Sequence, residues 1–210
     1  MIPYYSDDHV TLYHARWEDV PPDLLRADVL VTDPPYGIDI NPVRSRFKRI
    51  EGDAEPFDPA PLLALGLPSV LFGANHFADR LPPSAAWLVW DKREGITTNL
   101  QADAELAWSN LGGVVRLRAL YWNGGGGKAK EAGQEPSGGS FHPTQKPVAL
   151  MRWVIEKCPP GTILDPYSGS GTTLVAAKSL NRKAVGVECV EAYCEVAANR
   201  LRQEVLGLTA

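Results

Sequence analysis

The sequence predicts an α/β domain, a central sheet with helices on both faces, and two observations predict it. Short apolar runs of the kind that form buried strands alternate with stretches whose apolar residues recur at helical spacing. In addition, Asp165-Pro166-Tyr167-Ser168-Gly169-Ser170-Gly171-Thr172-Thr173 lies where an apolar strand gives way to a helix.

In chain order, strands are predicted at Val10–Tyr13, Asp28–Thr32, Ser69–Gly73, Ala86–Trp90, Val114–Tyr121, Thr162–Asp165 and Ala184–Glu188. The second belongs to the run Ala27–Thr32 (ADVLVT), whose Val29-Leu30-Val31 centre reads as a buried strand. Helices are predicted at Pro61–Leu65, Asn75–Leu81, Pro147–Cys158, Thr172–Leu180 and Val190–Val205. The last is the plainest, because Val190, Tyr193, Cys194, Ala197, Ala198, Leu201 and Val205 share one face. Pro147 suits a first helical position, where its missing N–H costs nothing and its φ is preset. Asn123–Ser140 (NGGGGKAKEAGQEPSGGS) has too little apolar surface to offset the entropy of ordering. It leads directly into Phe141-His142-Pro143-Thr144-Gln145-Lys146-Pro147, so it reads as a functional loop and not as a linker to a second domain.

Composition bounds the function. With 210 residues, 44% hydrophobic and 22% charged, the chain matches one globular domain, residues 1–210, with a full core. It shows neither a bilayer-spanning stretch nor a basic-then-apolar leader, and a cytoplasmic location is expected. Cys158, Cys189 and Cys194 have no paired metal spacing, and no metal is expected. A net charge of −4 does not favour a nucleic-acid partner, so any contact with one must use local basic clusters. Arg44, Arg46, Lys48 and Arg49 form such a cluster just after Asp33-Pro34-Pro35-Tyr36.

The glycine loop has the chemistry of a nucleotide-cofactor site. Gly169 and Gly171 allow close backbone approach, and the helix start offers unpaired N–H groups to an anionic ligand group. Glu188 ends the next predicted strand 19 residues after Gly169, a spacing suited to an acidic residue that accepts hydrogen bonds from ribose hydroxyls. A dinucleotide fingerprint would need a small residue where Leu174 stands, and a phosphate loop would need Gly-Lys-Ser/Thr after the glycines.

Asp33-Pro34-Pro35-Tyr36 closes the Ala27–Thr32 run. Taken alone, it is a common turn sequence. Its two prolines fix φ at two positions and keep Asp33 and Pro34 out of the helical region, so that a carboxylate and a backbone carbonyl can converge on one amine. That pair could accept both protons of an exocyclic base amine, while Tyr36 offers a flat face to a base taken out of its stack.

The two motifs, in this order, resemble the beta class of DNA amino-methyltransferases, the adenine-N6/cytosine-N4 family, in a small phage- or prophage-type form. Phe72-Gly73-Ala74-Asn75-His76-Phe77, Trp87-Leu88-Val89-Trp90-Asp91-Lys92 and Ala104-Glu105-Leu106-Ala107-Trp108 extend the resemblance over almost the whole chain. It implies a circularly permuted Rossmann-like class I S-adenosylmethionine-dependent fold with a central mixed sheet. It also implies methylation of adenine N6 in double-stranded DNA, with S-adenosylmethionine as the methyl donor. Neither a metal nor a covalent enzyme intermediate is expected. Such proteins serve DNA methylation and restriction-modification, and the resemblance allows a homodimer.

By the same resemblance, Asp33, Pro34, Pro35 and Tyr36 are the catalytic residues. Asp165, Pro166, Tyr167, Ser168, Gly169, Ser170, Gly171 and Thr172 surround the methionine part of the cofactor, Glu188 takes the ribose, and Thr144, Gln145 and Lys146 enclose the methionine end. Arg44, Arg46, Lys48 and Arg49 are the candidate DNA contacts. Cytosine N4 remains the alternative target, followed by an RNA amine and then by cofactor-bound DNA recognition without catalysis.

Two departures stand out. Arg16 occupies a place where the family commonly has an acidic residue near the cofactor's adenine. The chain also leaves no room for a large recognition domain, so specificity falls to the insertions at 37–57 and 111–140.

Overall fold

The computed structural model describes residues 1–38, 52–93, 102–121 and 145–203. Arg44, Arg46, Lys48, Arg49, Thr144 and the Asn123–Ser140 segment lie outside the described residues.

Among the described residues, nine strands form one mixed sheet: β1 (Tyr5–Ser6), β2 (Val10–His14), β3 (Val29–Thr32), β4 (Ser69–Phe72), β5 (Ala86–Asp91), β6 (Ala104–Ser109), β7 (Arg116–Ala119), β8 (Ile163–Asp165) and β9 (Ala184–Glu188). Their order is β1-β2-β9-β8-β3-β4-β6-β5-β7. Strands β2, β9, β8, β3 and β4 run parallel, which brings their carboxyl ends to one edge. β6 is antiparallel to both β4 and β5, and so its amino end reaches the same edge, with Glu105 opposite Trp90. The β3 and β8 pairing sets Leu30 against Leu164, making Asp33 and Asp165 neighbours although 132 residues separate them in sequence.

Both faces carry helical elements, unequally. On one side α2 (Val148–Ile155), α3 (Thr172–Ser179) and α4 (Glu191–Arg202) cover Val10, Leu12, Val29, Val31 and Ile163. On the other, the short helix α1 (Ala60–Leu63) and 3-10 turns bring Leu62, Phe77 and Trp17 onto Leu30, Leu71 and Trp108. All four residues of β3 are buried because apolar layers press on both its faces. Val29, Leu30 and Val31 each contribute roughly 1.5–3 kcal/mol on leaving water.

The predicted helix at Asn75–Leu81 is instead two 3-10 turns, Ala74–His76 and Ala78–Arg80. Phe77, with φ −138° and ψ 30°, breaks the helical path between them so that its ring enters the core. Pro147 lies one residue before α2, in extended conformation with φ −63° and ψ 140°; its fixed φ suits that position equally well. β6 was absent from the predicted strands because Glu105 and Ser109 interrupt its apolar run, yet both ends are held by pairing to β5.

Candidate functional site

The first turn grows from the end of β3. Asp33 accepts hydrogen bonds at both oxygens, from the Tyr36 hydroxyl at Oδ1 (2.5 Å) and from Lys146 Nζ at Oδ2 (2.6 Å). Burial pushes the Asp33 carboxyl up against the opposing pull of Lys146, and Glu105 adds to the rise. Burial works to lower the Lys146 ammonium, but Asp33 and Glu105 outweigh it and hold Lys146 well above the ordinary lysine range.

The turn is braced from behind. Asp53 Oδ1 accepts the backbone N–H groups of Tyr36 (3.0 Å), Gly37 (2.9 Å) and Ile38 (3.4 Å). The Tyr36 ring lies against Gly73, where a Cβ would overlap the ring and where φ is +66°, a conformation glycine adopts without strain. The His76 ring stacks on Tyr36 with centroids 5.1 Å apart and planes 14° from parallel.

The second turn grows from the end of β8. Asp165 is buried and accepts the Thr32 hydroxyl (2.6 Å) and the Tyr167 N–H (3.2 Å); burial pushes its carboxyl up to about 6. The Thr32 contact joins the two turns directly. Glu188 accepts the Gly169 N–H at Oε2 (2.8 Å), and the Val190 N–H (2.7 Å) and the Cys189 thiol (3.7 Å) at Oε1, so that Oε2 is the oxygen with the second lone pair left. Arg200 reaches from α4 into the loop, donating to the Ser170 carbonyl (2.6 Å), Ser170 Oγ (3.1 Å) and Thr172 Oγ1 (3.1 Å). Trp17 Nε1 donates to the Tyr167 hydroxyl at 2.9 Å.

Between the turns lies a pocket of about 50 Å³, lined by Asp33, Gln145, Lys146, Asp165, Ser168 and Gly169 among others. A wider groove of about 590 Å³ at the opposite end of the sheet, beside Ile155 and Arg182, gathers none of these groups. Chemistry, not size, therefore marks the site.

The structure brings together Asp33, Gln145, Lys146, Asp165, Tyr167, Ser168, Gly169, Ser170 and Thr172. Pro34 is buried beneath the turn, Pro35 faces Gly52, and Tyr36 flanks Asp33. Lys146 pairs with the carboxylate of the first turn while also lining the pocket of the second. Arg16 is exposed and lies 4.0 Å from Glu18. Asp91 caps its own turn through the Arg93 N–H. Asp53, Gly73, Glu105 and Arg200 were not singled out from sequence. Of these only Arg200 carried a signal, as a charge that falls beside the apolar stripe Ala197, Ala198 and Leu201.

Residues 118–199 match a family model, N6_N4_Mtase, described as DNA methylase. The type II methyltransferase M.ScaI of Streptomyces caespitosus is 45% identical over 69 residues, 32% of this chain and 23% of that protein. The type II methyltransferase M.HinfI of Haemophilus influenzae is 41% identical over 76 residues, 35% of this chain and 21% of that one. Among solved structures, the M1.HpyAVI–SAM complex aligns with 92% of this chain and 99% of its own at 25% identity and a TM-score of 0.54. Over these segments the chain is similar to N6/N4 DNA amino-methyltransferases.

The matched segments span less than a quarter of M.ScaI and M.HinfI. The PvuII DNA methyltransferase (cytosine-N4-specific) aligns with 97% of this chain and 90% of its own at 14% identity and a TM-score of 0.61, a likeness of fold. The fold is the class I S-adenosylmethionine-dependent type, with β3 and Asp33 ahead of β8 and its glycine loop in the chain. No helix among the described residues is long and apolar enough to cross a membrane.

Proposed function

We propose that this protein methylates adenine N6 in double-stranded DNA with S-adenosylmethionine. One observation carries the reading: Asp33 and the Ser168–Thr173 loop, on neighbouring strands, line one pocket, so an amine held by the first would face a donor held by the second.

The residues fit the donor. Asp165 is a buried acid pushed up to about 6 with only neutral donors around it, and a cationic amino or sulfonium group nearby would favour its ionised form. Arg200 fixes the loop ahead of α3, whose first N–H groups suit a carboxylate. Glu188 Oε2, which accepts the Gly169 N–H alone, has a lone pair left for a ribose hydroxyl. Bound there, S-adenosylmethionine supplies an electrophilic methyl group.

The protein's own part is to prepare the amine. Asp33 and the Pro34 carbonyl accept its two N–H groups, drawing nitrogen out of conjugation and toward tetrahedral geometry. Asp33 is placed to take the proton released when nitrogen becomes cationic. Tyr36 stacks on the extruded base, and Arg44, Arg46, Lys48 and Arg49 neutralise phosphates. Cytosine N4 is the second reading, favoured by the fold shared with a cytosine-N4-specific enzyme and by a grip that acts on any ring-conjugated amine.

Incubating the protein with tritium-labelled methyl donor and unmodified genomic DNA, then separating the nucleosides, tests both. Label in N6-methyladenine is expected. Label in N4-methylcytosine moves the target, and unlabelled DNA overturns the activity.

A further inference from the structure

Resting on that reading, a conflict arises at Asp33. The carboxylate that should receive the amine already holds Lys146 at Oδ2 and the Tyr36 hydroxyl at Oδ1. Withdrawing Lys146 into an apolar surrounding would strand a charge, because its side chain is only 5% exposed. It needs a second anionic partner within reach.

Glu105 is that partner. Its Oε2 stands 3.1 Å from Lys146 Nζ, is fully buried, and makes no directed hydrogen bond. Its Oε1 is held by Lys92 Nζ at 2.8 Å, and Lys92 lies over the Trp90 ring with its nitrogen 5.6 Å from the centroid. The pairing of β6 with β5 fixes Glu105 opposite Trp90, so the carboxylate keeps its place whatever Lys146 does. The resulting row, Asp33–Lys146–Glu105–Lys92, alternates in charge. A small turn of the Lys146 ammonium away from Asp33 gives up the closer of its two ion pairs while aligning the other, to Glu105, as a directed hydrogen bond.

We propose that Glu105 is a positioning residue that receives Lys146 when the substrate amine takes its place on Asp33. The buried, unused acceptor at Glu105 Oε2 then gains its hydrogen bond at the moment Asp33 Oδ2 becomes free. The Tyr36 hydroxyl, 3.1 Å from Lys146 Nζ, bridges the two positions.

The test compares wild type, Glu105→Gln, Lys146→Met and the double variant in methyl transfer to genomic DNA. Melting temperature and cofactor titration are measured for each. Glu105→Gln should lower kcat by tenfold to about a hundredfold, the usual cost of a misplaced reacting group, with cofactor affinity and the KM for DNA nearly unchanged. In the Lys146→Met background the same substitution should cost nothing further, because no ammonium is left to move.

The acid limb of kcat/KM should also move to lower pH in Glu105→Gln. Glu105's charge opposes ionisation of Asp33, so its loss lets Asp33 ionise more easily. A residue that merely supported the fold would leave that limb where it was. Lys92→Met, which removes the other partner of Glu105, should have the smaller effect on kcat. A folded Glu105→Gln protein with wild-type kcat, an unmoved acid limb, or an equal loss with and without Lys146 would each overturn the inference. An inactive wild-type protein would instead overturn the functional reading on which it rests.

Discussion

The turns after β3 and β8 begin alike, Asp-Pro at a strand end with an aromatic residue close behind, and lie side by side at one edge of the sheet. Their aspartates are surrounded differently. Asp33 meets an ammonium and a phenol, whereas Asp165 meets the Thr32 hydroxyl and a backbone N–H. Burial pushes both carboxyls up, but only Asp33 has a cation of the protein's own beside it. An acid that must act as an anion on a neutral amine needs its charge secured beforehand. An acid that receives a cationic ligand can wait for that ligand to supply the counter-charge. On the proposed function, neighbouring positions in one fold thus separate chemistry from binding.

That contrast breaks most visibly at Asp33. Asp33→Ala should reduce methyl transfer by about a thousandfold, the scale of losing a preorganised group that acts on developing charge. Calorimetric titration should find cofactor affinity within a few-fold of wild type, as expected for loss of a single hydrogen-bonding neighbour at most. Substantial turnover would show that the grip lies elsewhere.

Asp165→Asn should do the reverse, weakening the cofactor first. It also carries a pH signature. The folded value of about 6 lies above the ordinary 3.8, so Asp165's contribution to stability is fully present below 3.8 and is lost as pH rises through about 6. The whole difference is about 3 kcal/mol. Urea unfolding from pH 4 to 8 should therefore show the variant gaining on wild type across that window. Saturating cofactor should shrink the gap, because a cationic group beside Asp165 restores its ionised form. Parallel curves for the two proteins would mean that Asp165 is not held as described.

The sequence made the strands of this edge legible because Ala27–Thr32 and Thr162–Asp165 are apolar runs that stop at Asp-Pro. It made the residue content of both turns legible for the same reason, since local patterns report local geometry. Glu105, Asp53 and Arg200 stayed hidden because their importance is set by distant partners. Glu105 acts on Lys146 only through the β6 and β5 register, and Asp53 returns to Tyr36 from 17 residues downstream. Gly73 looked like an ordinary strand end until the Tyr36 ring was found against it. The family resemblance places Lys146 at the cofactor, whereas its nearest carboxylate belongs to the other turn.

Arg200 allows a finer separation. Arg200→Met keeps an unbranched apolar stem in place of the arginine's methylenes but leaves Ser170 O, Ser170 Oγ and Thr172 Oγ1 without their shared donor. Loss of a buried charged donor of this kind costs about 2–3 kcal/mol. The loss should fall on stability and on cofactor affinity together, because the loop it secures belongs to the second turn alone. Transfer at saturating cofactor should stay close to wild type. A fall in kcat with unchanged cofactor affinity would instead couple the loop to the first turn.

Tyr36→Phe gives the smallest and most specific change. The ring remains to stack on His76 and on a base, so affinity for DNA should hold. What disappears is the hydroxyl that donates to Asp33 Oδ1 at 2.5 Å. One hydrogen bond to a charged group is worth about 1.5–3 kcal/mol at most, and Lys146 remains to compensate, so a rate loss near tenfold is the ceiling. The direction of the pH effect is the sharper reading. The Tyr36 hydroxyl helps keep the Asp33 carboxyl ionised, and without it burial pushes that carboxyl higher. The acid limb of kcat/KM should then move to higher pH, opposite to the shift expected for Glu105→Gln. Two single substitutions on either side of Lys146 that move one limb in opposite directions would identify Asp33 as the group that titrates. Movement of both in the same direction would assign the limb to another acid, with Asp165 the next to examine.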